Sequence, residues 1–532
     1  MSLFIVINYF EEVIIMYDLS QMTYIEAKKK ILSSNAIFIP LGSVEQHGYV
    51  LPLNTDNLIC MHIIRDLCSK YNLAYLPLVP FGQTWSSSNF PGTISITQSC
   101  LQNYIYEIIT SLEKTGAKKI IFYSFHNGNQ DVIKQCARLF YEQYNNIYYL
   151  CSSNMRKICK DIQDISFKHN IWHAGEIEVS LMMYLFPDTV RINKLGDSQL
   201  KDNISDLKPI KWDIFNPNGS FGNTILSSAS KGKEIYINLM RELNEQVERI
   251  ISDIQRINDI ELFVSDLDGT LLTNSKELTK NSIDTINRLK ENDISICIAT
   301  SRNIHMSKQI IKAIGDRDLY LISDNGAYVY DCMKNMPIYE KNINLEDAEN
   351  VIKYLINNKH RFVAYSSSAM YCFLLNEEIK KKIIKVRKIE EEQQLDNLLV
   401  TKKINSFDDI DYPAKLLKIV IYLEQKNDIN DISSNLKNDC VSFEQTGERY
   451  WSICHRVVSK ENALRYLQKY LFINCENTIA FGDFDNDISL FKRAKYKVAM
   501  SNASDALIIH SNYMTDTNDS DGVAKFLSEK IL

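Results

Sequence analysis

The chain of 532 residues has no block of basic residues: 60 lysines and arginines are scattered among 66 aspartates and glutamates, for a formal net charge of -6. It therefore lacks the electrostatic footprint of a nucleic-acid binder. It also has no Cys-x-x-Cys pair. Its 12 cysteines stand singly at 60, 68, 100, 136, 151, 159, 297, 332, 372, 440, 454 and 475. That spacing excludes a compact secreted disulfide framework and reads as reduced core thiols of a cytoplasmic protein. No apolar run is long enough to span a bilayer. The opening "MSLFIVINYFEEVIIMYDLS" is interrupted by Glu11 and Glu12 and has no basic leader, so neither a membrane span nor a signal peptide is expected, and Met16 is an alternative start. Internal repeats and low-complexity tracts are missing as well. With nucleic acid and membrane set aside, small-molecule partners remain. A hydrophobic content of 45% is enough for large cores, and at roughly 150 residues per domain the length suggests two to four of them.

What is present alternates. In the first half the β-rich runs "AIFIPLGS" (36–43), "AYLPLVPF" (74–81) and "KKIIFYSF" (118–125) alternate with segments of helical period at 98–115 and 129–143. The pattern predicts βαβ units and a largely parallel sheet. Segment 231–258 carries apolar residues at helical spacing and a new strand begins at 261, so a domain boundary is expected at 258–261. The α/β rhythm then runs to about 330, breaks into a charged, less regular region and resumes near 453, which is the pattern of an inserted domain.

The centre of the chain reads "FVSDLDGTLLTNS" (263–275). Asp266 and Asp268 fall at the carboxyl end of the strand predicted over 261–266, where open α/β sheets place ligands. Two carboxylates so close repel unless a cation or a shared proton compensates them. An Asp-rich turn would be the plain alternative, but three further segments argue against it. "ISICIATSRN" (294–303) ends in the hydroxyls of Thr300 and Ser301. "VVSKENAL" (457–464) sets Lys460 at a helix start, where ammonium and helix dipole both favour an anion. "IAFGDFDNDISLF" (479–491) is a second buried strand that ends in acids, Asp483 and Asp487.

These four segments, in this order, resemble the Cof-type haloacid dehalogenase-like phosphohydrolases over about 260–532; "SDNGAYVYD" (323–331), "VAMSNASDALI" (498–508) and "DTNDSDGVAKFL" (516–527 with its neighbours) support the likeness. The resemblance implies a Rossmann-like core with an α+β cap inserted at about 332–452. It implies that Asp266 is the nucleophile and Asp268 the general acid/base, and that Thr300, Ser301 and Lys460 hold the phosphoryl group. Asp266, the Asp268 backbone carbonyl and Asp483, supported by Asp487, would hold Mg²⁺. That ion prefers oxygen ligands and neutralises a phosphate facing a carboxylate. Ser301 and Glu461 stand where many members have glycine, and neither change removes a functional group.

The first half carries "IPLGSVEQHGYVLPLNTD" (39–56), in which Glu45 and His47 lie two apart and face one side of an extended backbone, with Asp56 following. "YSFHNGNQ" (123–130) ends a strand in His126, and "WHAGEIEVS" (172–180) brings His173, Glu176 and Glu178 to a helix start. Mixed histidine and carboxylate ligands suit Zn²⁺, Mn²⁺ or Fe²⁺ better than Mg²⁺. These segments, with "FPGTISIT" (90–97), resemble the creatininase family across about 17–258. The resemblance implies a three-layer αβα domain that hydrolyses amide-type C–N bonds and assembles into ring-like homo-oligomers. Glu45, His47, Asp56 and His126 would be metal ligands. Glu176 would be a further ligand, with Glu178 its competitor, and His173 would handle protons. Gly128 replaces the glutamate of relatives that act on creatinine, so creatinine is not the expected substrate. Ser87 stands where many relatives have histidine.

The combined expectation is a two-domain α/β hydrolase acting on a small phosphorylated metabolite of riboflavin-type pyrimidine or sugar phosphate kind. The alternative is a phosphatase whose first half is a binding or oligomerisation module. The cap carries no motif that names the substrate.

Overall fold

The computed structural model describes residues 17–532 except 151–154, 160–161, 163–172, 198–208, 254–255, 376, 378, 382, 385–386, 388–398, 412–414, 424–427, 437–439 and 448. Met16 and Cys151 lie outside the described residues. The chain divides into two compact units, Met1–Ile254 and Gln255–Leu532. The second begins a little before 258–261 because Ile257 and Ile260 pack into its core.

In the first unit four parallel strands lie in the order β2–β1–β3–β4: β1 (Ile37–Leu41), β2 (Ala74–Tyr75), β3 (Ile120–Ser124) and β4 (Ile147–Tyr149). The run 74–81 gives only a two-residue strand, because Pro77 and Pro80 have no N–H to donate. Leu76 and Val79 still donate to the carbonyls of Phe38 and Pro40 and keep the segment on β1. The helices are α1 (Thr55–Tyr71), α2 (Gln98–Lys114), α3 (Gln130–Leu139), α4 (Glu176–Leu185) and α5 (Ala229–Ser252). The pleat turns alternate strand residues to opposite faces. Ile37, Ile39, Ile120 and Phe122 meet Leu101 and Ile105 of α2 and Ile133 of α3. Phe38, Ile121 and Tyr123 meet α1, α4 and the Ile235, Leu239, Leu243 and Val247 stripe of α5. The result is a three-layer αβα domain.

The second unit holds an eight-stranded sheet in the order β18–β17–β16–β5–β6–β7–β8–β9. Its strands are β5 (Leu262–Ser265), β6 (Ser295–Ala299), β7 (Leu319–Ser323), β8 (Tyr328–Asp331) and β9 (Met336–Glu340), then β16 (Thr478–Gly482), β17 (Tyr496–Met500) and β18 (Tyr513–Thr515). All pairings are parallel except β7–β8 and β8–β9. Helices α6 (Lys280–Glu291) and α7 (Ile304–Ile314) cover one face. The inserted cap carries α8 (Leu345–Asn357) and α9 (Asp428–Asn435) on one side of a six-stranded sheet, β12–β11–β10–β13–β15–β14. Its strands are β10 (Arg361–Ser366), β11 (Ala369–Phe373), β12 (Val400–Lys403), β13 (Leu416–Tyr422), β14 (Val441–Gly447) and β15 (Tyr450–His455). The expected limits of 332–452 therefore shift: β9 still pairs with β8 in the core sheet, and β15 runs on to His455. Helix α10 (Lys460–Leu471) packs on the other core face, and α11 (Gly522–Lys530) returns to the α6 side.

No disulfide links the described cysteines, and most are buried as expected; Cys100 is exposed and Cys440 and Cys475 are half-buried. No helix among the described residues is long and apolar enough to cross a membrane.

Candidate active sites

Parallel pairing brings the ends of neighbouring strands together. In the second unit Ser265 of β5 pairs with Phe481 of β16 and with Ile298 of β6, so the residues that follow these strands converge. Asp266 follows β5, Thr300 follows β6 and Asp483 follows β16. Lys460, the first residue of α10, completes the group: its Nζ lies 2.5 Å from Asp266 Oδ1 and 2.7 Å from Asp487 Oδ1. Asp266, Asp483 and Asp487 offer oxygens within 4.8 Å of one another. Thr270 Oγ1 donates to Asp483 Oδ1 at 2.8 Å, and Asp487 Oδ2 accepts from the backbone N–H of Asp483 at 3.1 Å. Gly269 is required here, for its φ is +88° and a Cβ would meet Asp483 Oδ2 at 2.3 Å.

Three carboxylates face one ammonium, and the protonation equilibria report the imbalance. Burial, and then repulsion from Asp487, holds the Asp266 carboxyl well above its usual range, and burial pushes Asp483 up to about 6. Burial would lower Lys460, yet Asp266 and Asp487 keep it above the ordinary lysine value. An excess of buried oxygen charge in this arrangement fits a hard divalent cation. Asp268 turns elsewhere: Arg302 grips its carboxylate through Nε at 2.7 Å and Nη2 at 2.6 Å, and Lys276 Nζ lies 2.9 Å away. Burial opposes ionisation of Asp268, but Arg302 and Lys276 hold it below the usual range. Thr300 is buried and its Oγ1 accepts from the Arg302 N–H at 3.1 Å. The Ser301 carbonyl accepts from Lys418 Nζ of the cap. Arg302 was passed over in the sequence although it directly follows the two hydroxyls singled out there.

In the first unit Glu45 and His47 follow β1 and His126 follows β3, whose ends are joined by the Leu41–Ser124 pairing. Asp56 and Glu178 sit in the first turns of α1 and α4, where the helix dipole favours a carboxylate. His126 Nδ1 is 2.9 Å from Glu45 Oε2 and 3.1 Å from Asp56 Oδ2. His47 Nε2 is 3.6 Å from Asp56 Oδ1 and 3.8 Å from Glu178 Oε2. Two triads result, Glu45–Asp56–His126 and His47–His173–Glu178, and Asp56 touches both.

Each histidine spends one ring nitrogen on a backbone carbonyl: His47 Nδ1 on Glu45 O at 3.0 Å, His126 Nε2 on Gln83 O at 2.9 Å and His173 Nε2 on Gln46 O at 2.8 Å. With a proton on that nitrogen the other becomes a lone-pair ligand, the usual outer arrangement of metal-binding histidines. His47 Nε2 is buried with no hydrogen-bond partner among the described residues. Ser43 Oγ donates to Asp56 Oδ2 at 2.5 Å, and Ser87 Oγ donates to Glu45 Oε1. Burial would discharge His47, but Asp56 raises it to about 9. Burial opposes ionisation of Asp56, which the His47 and His126 rings nonetheless hold well below the carboxylate range. Burial pushes Glu178 up to about 7 and drops His173 to about 4. The site demands positive charge, and the donor set of imidazole and carboxylate fits a transition-metal ion or a pair of them.

Glu176, the preferred further ligand, is not brought into this cluster. Its Oε1 pairs with Lys231 Nζ of α5 at 2.6 Å, while Glu178 takes the position beside His47. Two residues apart on a helix differ by about 200° in direction, so only one of the pair can face the site. Gly128 is held tightly as well: a Cβ there would meet Gln83 O at 2.3 Å and His126 Nε2 at 2.4 Å. A glutamate at 128 would break the bond that orients His126. A cavity of about 230 Å³ opens on the cluster, with Gln83, Trp85, Asn127 and Trp212 among its lining residues.

Comparison with known proteins agrees with both halves. Residues 263–527 match the model of the haloacid dehalogenase-like hydrolases and residues 20–247 that of creatinine amidohydrolase. A 5-amino-6-(5-phospho-D-ribitylamino)uracil phosphatase of Bacillus subtilis is 28% identical over 282 residues, covering 50% of this chain and 96% of its own. A mycofactocin precursor peptide peptidase of Mycolicibacterium smegmatis is 24% identical over 223 residues, covering 40% of this chain and 84% of its own. The solved haloacid dehalogenase-like hydrolase from Bacteroides thetaiotaomicron aligns with 51% of this chain and 98% of its own at 22% identity and a TM-score of 0.45. The protein is a hydrolase. Its N-terminal half matches the creatininase family and its C-terminal half the haloacid dehalogenase-like family.

Proposed function

We propose that the chain is a bifunctional hydrolase that removes phosphate from a small phosphomonoester in its second unit and cleaves an amide or formamide C–N bond in its first. The observation that carries the reading is the trio of ligand groups, one in the second unit and two in the first that are joined by the contact of His47 with Asp56. In the phosphatase site Asp266 attacks phosphorus, the bond to the leaving oxygen breaks, and Asp268 supplies the proton that this oxygen takes up. Water then attacks the aspartyl phosphate, Asp268 accepts its proton, and Asp266 and inorganic phosphate are regenerated. Thr300, Ser301 and Lys460 hold the phosphoryl oxygens. Mg²⁺, held by Asp266, Asp483, Asp487 and the Asp268 carbonyl, supplies charge neutralisation when bound. The Arg302 grip keeps Asp268 ionised and in place as a base, so donation to the leaving oxygen requires that grip to open.

In the first unit Glu45, His47, Asp56, His126 and Glu178 would hold one or two Zn²⁺, Mn²⁺ or Fe²⁺ ions, which would supply Lewis-acid chemistry toward water and a carbonyl. His173 stands beside His47 and Trp212 with ring centroids 4.5 and 4.8 Å away; its neutral ring takes a proton from the attacking water and passes it to the departing nitrogen. Gly128 argues for a substrate other than creatinine. The Bacillus relative named for a ribitylamino-uracil phosphate favours a metabolite of that pyrimidine type, met by both sites. Self-association through the first unit and a cytoplasmic setting belong to the same proposal.

The test is a screen of full-length protein with Mg²⁺ against a panel of phosphometabolites, with amide and formyl release measured on substrates and products. Phosphate release from none of them refutes the phosphatase half. Phosphate release without transition metal or C–N cleavage assigns the first unit to binding or assembly.

A further inference from the structure

The cap sheet has two unlike faces. Ile419 and Ile421 of β13 and Ile453 of β15 face α8 and α9, so Lys418 and Val420 point to the opposite side. Register carries that face across the sheet: Val420 pairs with Ser452, and Ser452 with Glu444 of β14. A lysine and a glutamate thus stand on the cap face that meets the catalytic loops.

Their partners differ. Lys418 Nζ is 3.0 Å from Asp324 Oδ1, with both side chains buried, and also donates to the Ser301 carbonyl. Its charge is spent on fastening the cap to the core. Glu444 Oε2 accepts from Asn325 Nδ2. Asn325 is wedged between two phosphoryl-holding elements: its N–H donates to the Thr300 carbonyl at 3.4 Å. The next residue, Gly326 at φ +100°, lies so close to helix α10 that a Cβ would meet Ser459 O at 2.3 Å and Lys460 N at 2.9 Å. The remaining oxygen of that amide, Asn325 Oδ1, is buried and has no hydrogen-bond partner among the described residues. Burial also raises the Glu444 carboxyl above its usual range, and Lys460, Asp487 and Lys418 act on its charge. A buried acceptor without a donor costs free energy unless a ligand supplies one.

We propose that Glu444 and Asn325 Oδ1 form the leaving-group subsite of the phosphatase, recognising hydroxyl or amino donors of a polyol-like alcohol and rejecting leaving groups that carry a second acid. The inference rests on the phosphatase reading and adds the substrate class that the cap selects. Its physical basis is that a site with a carboxylate and an unpaired acceptor discriminates strongly between a ligand that brings donors and one that brings more negative charge.

Kinetics of the full-length enzyme with Mg²⁺ test it, using sorbitol 6-phosphate, 3-phosphoglycerate and p-nitrophenyl phosphate as probes. The wild type should favour the polyol ester over the acid in kcat/KM by roughly tenfold or more. Glu444→Gln, which keeps the shape of the side chain, should lower the ratio of polyol to aryl ester by roughly tenfold. Glu444→Lys should move preference toward the acid. Ratios that stay within about twofold of wild type in both variants, while each still hydrolyses the aryl ester, overturn the subsite. A wild type that turns over none of the three esters overturns the phosphatase reading instead, and the subsite falls with it.

Discussion

Replacing Lys460 by methionine keeps the side-chain length and removes the ammonium that faces Asp266 and Asp487. At the distances of 2.5 and 2.7 Å, each pair attracts by about 6 kcal/mol at an effective dielectric constant of about 20. Desolvation of the ammonium offsets much of this. The net cost of leaving the two buried carboxylates uncompensated is roughly 3–5 kcal/mol. That cost depends on pH, with a definite sign. Asp266 and Asp483 already titrate above their unfolded values, Asp483 at about 6, so the folded unit binds more protons than the unfolded chain. Below the ordinary aspartate range near ~4 neither state is ionised and the groups cost nothing. As pH rises through the folded values they ionise against each other and stability falls. Loss of Lys460 strengthens this effect, so the variant should lose most at pH ~8 and least at pH ~5. Calorimetry of the full-length chain in chelator reads the loss, the transition of this unit being the one that Mg²⁺ moves upward. A fall of roughly 6–20 °C is expected at the higher pH, from about 2–4 °C per kcal/mol for a unit of this size. An unchanged or higher transition would show that Lys460 does not compensate the carboxyl groups of Asp266 and Asp487.

Asp266→Asn should abolish Mg²⁺-dependent phosphatase activity by several orders of magnitude with the fold retained; more than about a tenth of wild-type turnover would rule out Asp266 as nucleophile. Glu178→Gln should cut the transition-metal content measured by elemental analysis, whereas Glu176→Gln should leave the metal and instead weaken the tie to Lys231; equal metal in both variants would contradict the assignment. His47→Ala with Asp56→Ala should strip the first unit of most of its metal and leave phosphatase turnover nearly unchanged, and a parallel loss of both activities would count against separate sites. A fragment starting at 255 should express as a soluble phosphatase and be more stable than one starting at 260, because only the longer one keeps Ile257, whose burial contributes about 1.5–3 kcal/mol; equal unfolding midpoints would refute that.

Legibility depended on how each residue is displayed by its local period. Asp266, Thr300 and Asp483 could be found because each directly follows a short, almost continuously buried strand, and the pairing of these parallel strands brings their ends side by side. His126 was marked by the strand end before it, and Glu45 and His47 by their spacing of two in extended backbone. The inserted cap was visible as a break in rhythm, but its limits were not, since Met336–Glu340 reads like any short strand until its pairing with β8 is known. Ala74–Tyr75 fell short of its apolar run because two prolines removed donors that hydropathy does not register.

Sequence alone sufficed for the chemistry on offer: two α/β halves, acids and a lysine for phosphoryl transfer, and histidines with acids for a transition metal. Tertiary structure decided which of these side chains meet. It selected Glu178 over Glu176, because a helix sends residues two apart in opposite directions and Lys231 of α5 claims one of them. It set the histidine tautomers through carbonyls of Glu45, Gln83 and Gln46, distant in sequence from two of the three rings. It put Glu444 against Asn325 through strand register 119 residues away in the chain. Residue type and spacing carry local direction, but the partner that satisfies a buried charge or donor is chosen only when the layers close on one another.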